Sequence, residues 1–155
     1  MIITFHFIIS FILNANKLVA AEFKKYNTIL VKYDIPCHIF TYKIKTFESA
    51  LLKHSQSQYN TKSIYDLHDL VSFRFVFYKS EDLYKFWHHN RDSKTICYLK
   101  NYIKEPKENG YKAFHFHYIT RDEIIKIMEC QLYIIEDYYD SIYGNSSKYK
   151  NYLRY

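Results

Sequence analysis

Residues 101–118, NYIKEPKENGYKAFHFHY, decide how the chain is organised. Pro106 and the Asn109-Gly110 pair interrupt the stretch, while aromatic and β-branched residues flank it on both sides, so it reads as strand, loop, strand. The chain has only two glycines. Placing one between Asn109 and Tyr111 marks a backbone turn that a side chain would resist. The loop carries Lys104, Lys107 and Lys112, the amide of Asn109 and a ring at Tyr111 that is expected to be exposed. Cations for phosphates beside a flat face for a base make a nucleotide pocket one reading. A lysine-coated hairpin is the other.

Outward from this loop the pattern is regular. Residues 14–33 place Leu18, Val19, Ala21, Phe23, Tyr26, Ile29 and Leu30 at spacings near three and four, which predicts an amphipathic helix that Pro36 ends. A strand follows over 35–45, then a helix over 47–59 with a polar connector at 55–61. Val71 to Phe77 is apolar enough for a buried strand, and 80–90 reads as a helix opening on a Ser80 cap. Strands are expected at 95–104, 113–120 and 126–133, and a closing helix over 136–152 that Gly144 can end. The order α-β-α-β-α-β-β-β-α, without repeats or a linker, predicts one α+β domain built on a mixed sheet flanked by helices.

Composition sets bounds. With 155 residues and 48% hydrophobic content, the chain can bury one core and is not disordered. Its formal charge of +6 suits a phosphate-rich ligand or RNA. No block of like charge marks a nucleic-acid arm. Cys37, Cys97 and Cys130 are odd in number and far apart, which excludes a closed disulfide framework and a Cys-x-x-Cys clip and fits a reducing, cytoplasmic setting. The apolar run IITFHFIISFIL is too short to span a bilayer, has no Lys or Arg ahead of it, and is followed by VAA. Residues 1–16 are therefore read as a first helix or a signal segment, and 17–155 as the domain. No membrane partner is expected.

Three groups of residues carry chemistry. In KIKTFESALLK, residues 43–53, Lys43 and Lys45 share a strand face and Ser49 and Lys53 share a helix face, so the four can converge on a polyphosphate or simply line a solvated surface. Asp69 precedes an apolar strand that contains Arg74; with Glu129 on another strand it supplies two carboxylates for a hard cation such as Mg²⁺, unless Asp69 pairs with Arg74 instead. His68-Asp69 imitates the His-Asp pair of metal phosphohydrolases without the further ligands that site needs. His115 and His117 share a strand face, but with no third ligand in sight they read as hydrogen-bonding groups.

In this order the pieces resemble the synthetase domain of the RelA/SpoT family of alarmone synthetases, which has a nucleotidyltransferase-like fold. The family pattern Arg-x-Lys-Ser-x-x-Ser-x-x-x-Lys looks like KIKTFESALLK, Asp-x-x-x-x-Arg like DLVSFR, Tyr-Ile-x-x-Pro-Lys-x-Asn-Gly-Tyr-x-Ser-x-His like YIKEPKENGYKAFH, and Glu-x-Gln like ECQ. The resemblance runs from about residue 17 to 152. It implies transfer of the β,γ-pyrophosphate of ATP to the 3′-hydroxyl of GDP or GTP, with Mg²⁺ as cofactor. Lys43, Lys45, Ser49, Lys53 and Arg74 fall where the family holds ATP, with Arg74 stacking on adenine. Lys107, Asn109, Tyr111, His115 and Gln131 fall on the guanine-nucleotide side, with Tyr111 stacking on guanine. Asp69 and Glu129 fall on the metal and catalytic positions. The family's toxin members modify the tRNA 3′ end instead, an acceptor that Lys112, Lys148 and Lys150 permit, and a homo-oligomer is compatible with the sequence. Departures at Lys43 for Arg, Ala113 for Ser and Tyr133 for Arg, and no match near Ser147 and Lys148 for the usual C-terminal His, raise a non-catalytic nucleotide-binding domain as a further alternative.

Overall fold

The computed structural model describes residues 2–56 and 63–144, with side chains from residue 8 onward. Along the chain lie α1 (Ile2–Lys32), β1 (Cys37–Ile44), α2 (Phe47–Gln56), a 3-10 turn at Ile64–Asp66, β2 (Val71–Phe77), α3 (Ser80–Arg91), β3 (Thr95–Asn101), β4 (Phe114–Ile119), β5 (Ile127–Ile134) and α4 (Ile135–Tyr143). This is the expected order of helices and strands. The five strands form one mixed sheet in the order β1-β2-β5-β4-β3, in which only β2 and β5 run parallel.

Alternation along the central strands separates core from site. On β2, Phe73, Phe75 and Phe77 point one way at period two, while Ser72 and Arg74 point the other. Tyr26 of α1 meets Phe73 and Phe75 at ring-centroid distances of 5.1 Å each, and Phe86 of α3 meets Phe75 at 4.4 Å. Phe116 on β4 and Leu132 on β5 complete this face, all without exposed surface. Each such side chain contributes roughly 1.5–3 kcal/mol of burial free energy. The opposite face is left to Arg74, Glu129, Gln131, His115 and His117.

One ion pair lies inside the core layer. Glu22 on α1 receives Lys94 at 2.5 Å and the Tyr118 hydroxyl at 3.0 Å, and the Lys94 ammonium sits 4.0 Å from the centre of the Tyr118 ring. Burial alone would raise the Glu22 carboxyl, but Lys94 and Lys25 outweigh it and hold the group below its ordinary value.

Several boundaries differ from the sequence reading. The first helix starts at Ile2, so the apolar segment continues into the amphipathic stretch, and Phe11 and Ala15 lie in the core. No described helix is long and apolar enough to cross a membrane. The stop comes before Pro36: Asp34 adopts φ 47°, its N–H donates to Val31 and the Ile35 N–H donates to Leu30, a Schellman ending with an aspartate in the left-handed position. Lys79, not Ser80, caps α3, and no side chain bonds there. β3 ends at Asn101, whose side-chain oxygen accepts from the N–H groups of Ile103 and Lys104 and turns the chain early. The expected end of the second helix and the tail of the last, including Ser147, Lys148 and Lys150, lie outside the described residues.

Candidate active site

The loop between β3 and β4 closes tightly. Tyr102 N–H donates to Ala113, Lys107 N–H to Tyr111, and Gly110 N–H to Lys107 at 2.8 Å. Gly110 has φ +81°, in the left-handed region, and a Cβ there would meet nothing within 4 Å. Backbone conformation alone, not crowding, is what asks for glycine. The Asn109 side chain accepts from the Tyr111 N–H at 3.1 Å, which makes it part of the turn.

This loop roofs a cleft of about 970 Å³ whose walls include Lys53, Asp69, Arg74, Lys107, His115 and Gln131. The cleft lies over the sheet face opposite the aromatic core. Register brings the polar residues together: Arg74 lies across from Gln131, which lies across from His115, and Ser72 lies across from Glu129, which lies across from His117.

Asp69 sits in the turn before β2. Its Oδ2 takes Lys53 at 2.6 Å and Lys45 at 3.1 Å, whereas Oδ1 is buried without a hydrogen-bond partner. Burial would raise this carboxyl, and Lys53 and Lys45 bring it below its ordinary value instead. The suggested structural pair with Arg74 does not form. The Arg74 guanidinium donates to Gln131 Oε1 at 3.2 Å and lies 5.7 and 5.8 Å from the rings of Tyr133 and Tyr138. Delocalised charge suits such aromatic neighbours, which is why a cation tolerates this strand without a carboxylate.

Of the four groups expected to converge in residues 43–53, the structure brings Lys45 and Lys53 together through Asp69. Ser49 is engaged with Thr46, which caps α2 by accepting the Ser49 N–H, and Lys43 is exposed on the edge strand opposite Ser72.

Tyr111 corrects the expectation of an exposed ring. It is 6% exposed, with its hydroxyl 2.7 Å from Tyr133 Oη and 2.7 Å from His115 Nε2. Lys107 Nζ stands 5.1 Å from its ring and 4.7 Å from the ring of Tyr102. Tyr102, half-buried on the wall of the cleft, is an aromatic surface to which the sequence reading assigned no role, although it opens the quoted loop.

His115 and His117 do have a third group. Glu129 Oε1 lies 3.2 Å from His115 Nδ1 and 3.4 Å from His117 Nε2, and Glu129 Oε2 accepts from Gln131 Nε2 at 3.0 Å. Burial would raise the Glu129 carboxyl, yet the two imidazoles hold it well below the usual carboxylate range. The sequence concealed this because residues 115, 117 and 129 meet only through the antiparallel pairing of β4 with β5.

Residues 42–153 match the family described as the region found in RelA/SpoT proteins. The chain belongs to the RelA/SpoT family. Among solved structures it is similar to small alarmone synthetase 2 of Bacillus subtilis, with a TM-score of 0.75 at 21% identity, covering 92% of this chain and 80% of that one. It is also similar to small alarmone synthetase 1 of Bacillus subtilis bound to its product pppGpp, with a TM-score of 0.72 at 19% identity over 94% of this chain and 81% of that one. A GTP pyrophosphokinase family protein of Streptococcus pneumoniae gives a TM-score of 0.75 at 18% identity over 100% of this chain and 81% of that one. These likenesses establish the fold. A search of curated protein sequences found no significant match.

Proposed function

We propose that this RelA/SpoT-family chain transfers the β,γ-pyrophosphate of ATP to the 3′-hydroxyl of GDP or GTP, forming a 3′-pyrophosphorylated guanosine nucleotide and AMP. The observation that carries this reading is the cleft itself: cations from Lys53, Arg74 and Lys107 border one space with a buried carboxylate oxygen, Asp69 Oδ1, that has no partner. A polyphosphate needs such cations, and an unpartnered carboxylate oxygen beside them fits a hard cation bound with it. A structural relative carrying its product pppGpp is consistent with this assignment.

In the reaction the 3′-hydroxyl gives its proton to Glu129 or to solvent as its oxygen forms a bond to the β-phosphorus, while the bond from that phosphorus to the α,β-bridging oxygen breaks and the bridging oxygen leaves with AMP. Positioning and charge neutralisation supply most of the acceleration, since the protein forms no covalent intermediate. Lys45 and Lys53 would meet ATP phosphates from the α2 side, with Arg74 beside the adenine. Lys107 and Tyr102 would frame the guanine nucleotide from the loop, and Tyr111 can stack on guanine only after Lys107 moves off its ring. Mg²⁺, when bound through Asp69 and Glu129, supplies charge neutralisation at the transferred phosphates. Glu129 would help to place the metal or activate the acceptor 3′-hydroxyl, and its Oε2 anchors Gln131. The burial of Phe11 and Ala15 supports reading residues 1–16 as part of the domain's first helix.

Incubating the purified chain with labelled ATP, Mg²⁺ and either GDP or GTP tests the proposal, with tRNA offered in a parallel reaction. Label in free guanosine nucleotide is the expected result. Label in tRNA alone would reassign the acceptor, and tight nucleotide binding without turnover would identify a non-catalytic domain.

A further inference from the structure

Two ring nitrogens meet at Glu129 Oε1, His115 Nδ1 at 3.2 Å and His117 Nε2 at 3.4 Å. Arg74 can only donate, so the Gln131 atom that accepts from it is the carbonyl oxygen, and the amide nitrogen donates to Glu129 Oε2. Tyr133 Oη lies 3.3 Å from that carbonyl oxygen and 2.7 Å from Tyr111 Oη, and its one proton can serve either. Tyr111 Oη lies 2.7 Å from His115 Nε2, and either group can donate across that contact. With hydrogen on Nδ1, His115 donates to Glu129 Oε1 at 3.2 Å; with hydrogen on Nε2 donated to Tyr111, Nδ1 offers a lone pair to an ion held with that carboxylate. A bound cation selects the second arrangement, because it takes the place of the Nδ1 proton.

His117 repeats the arrangement. Its Nε2 is buried without a hydrogen-bond partner and stands 3.4 Å from the same Glu129 oxygen, while its Nδ1 lies 3.0 Å from Nδ1 of His68. If His117 Nδ1–H donates to His68, the free lone pair of Nε2 also points at Oε1. Ligand atoms of His115, His117 and Glu129 all lie within 4.8 Å of one another. An ion bound at about 2.0–2.1 Å to each of two nitrogens in tetrahedral geometry holds them roughly 3.4 Å apart.

We propose that His115 Nδ1, His117 Nε2 and Glu129 bind a borderline divalent transition-metal ion of the Zn²⁺ and Co²⁺ class, with His68 as the outer partner that orients His117. Two imidazoles and one carboxylate suit such an ion, whereas Mg²⁺ prefers an all-oxygen shell. Three protein ligands leave a position open, and His115 borders the cleft. Each imidazole has an outer partner on its other nitrogen, Tyr111 Oη 2.7 Å from His115 Nε2 and His68 Nδ1 3.0 Å from His117 Nδ1, and such partners set tautomer and ring orientation in metal sites. This site goes beyond the pyrophosphate-transfer reading but shares Glu129 with it, so its test uses the metal alone.

The test is a Co²⁺ titration of the untagged, chelator-treated full chain, followed by visible absorption and by competition with Zn²⁺. A Cys97→Ser background removes an exposed thiol that would compete for the ion. The expected result is one equivalent of Co²⁺ showing the intense bands of a low-coordinate site, displaced by one equivalent of Zn²⁺. His117→Ala should weaken binding by at least about 100-fold, and His68→Ala by about 10–100-fold, as removal of an outer-shell partner does. Far-UV circular dichroism checks the fold, and His117→Gln serves where the alanine variant is unfolded. Asp69→Asn should keep the Co²⁺ bands even where it abolishes pyrophosphate transfer. A spectrum that stays that of the aqueous ion, binding that survives loss of His117, or binding lost with Asp69 but kept without His117 would each overturn the site.

Discussion

Lys53 Nζ lies 2.6 Å from Asp69 Oδ2, linking the exposed side of α2 to the turn that leads into β2. Lys45 shares that oxygen, so a single carboxylate atom aligns two cations while its other oxygen is left without a partner. Lys53 is 46% exposed, and an ion pair so open to solvent contributes no more than about 1 kcal/mol to stability. Lys53→Met is therefore expected to leave the melting temperature nearly unchanged while raising the KM for ATP about tenfold or more. A fall in melting temperature with no change in KM would show the pair to be structural.

Gly110 makes a different kind of prediction. Its φ of +81° costs a residue with a Cβ about 1–2 kcal/mol, and no atom lies close enough to add a clash. Gly110→Ala should lower stability by that amount in a denaturant titration without changing the slope. Gly110→Asn should cost less, because asparagine tolerates the left-handed region better.

Inside the core layer, the Glu22–Lys94 pair is nearly sealed from water, with side chains 9% and 7% exposed. Removing one partner from such a pair costs about 3–5 kcal/mol, so Lys94→Met is expected to be among the more destabilising single changes. Folding also lowers the Glu22 carboxyl from its ordinary value. Its contribution is then complete above the ordinary glutamate range and is lost as pH falls from that range through the folded-state value. Thermal melts across this acid window should show a decline that Glu22→Gln flattens, at the cost of lower stability near neutral pH.

The fold was largely legible because its strands announce themselves locally. Phe73, Phe75 and Phe77 alternate with polar positions, and the Pro106 to Gly110 loop separates two aromatic runs. Legibility failed where a distant partner decides the outcome. The helix over 14–33 was readable, but its extension back to Ile2 depends on Phe11 and Ala15 finding the sheet, which periodicity cannot reveal. Asp34 ended α1 in a conformation more often left to glycine, so Pro36 drew attention away from the true stop. At the site, the sequence named Asp69, Glu129, Arg74 and the loop, yet it assigned Tyr111 an exposed ring. Tyr111 is buried because Tyr133, one of the departures from the family pattern, reaches its hydroxyl from β5. The His115, His117 and Glu129 cluster was invisible for the same reason: strand register, not sequence spacing, assembles it.

Tyr133 consequently links the loop to the sheet. Its hydroxyl joins Tyr111 to Gln131, and Tyr133→Phe removes both bonds in a buried setting. The expected cost is about 1–3 kcal/mol, reflecting the partners left unsatisfied. Because Tyr111 belongs to the loop side, the KM for the guanosine acceptor should rise more than that for ATP. Equal changes in both would assign Tyr133 a purely structural part.

The central claim is that the cleft around Asp69 performs Mg²⁺-dependent pyrophosphate transfer, and the most direct measurement compares wild type with Asp69→Asn. Both are incubated with labelled ATP, Mg²⁺ and GDP or GTP, with folding monitored in parallel by circular dichroism. Removing an anionic ligand from a site for a hard cation should reduce transfer by orders of magnitude in a protein that remains folded. The account predicts a 3′-pyrophosphorylated guanosine product from wild type and almost none from the variant. It would be contradicted by a folded, nucleotide-binding wild type that forms no product, or by an Asp69→Asn protein that loses stability yet turns over normally in its folded fraction.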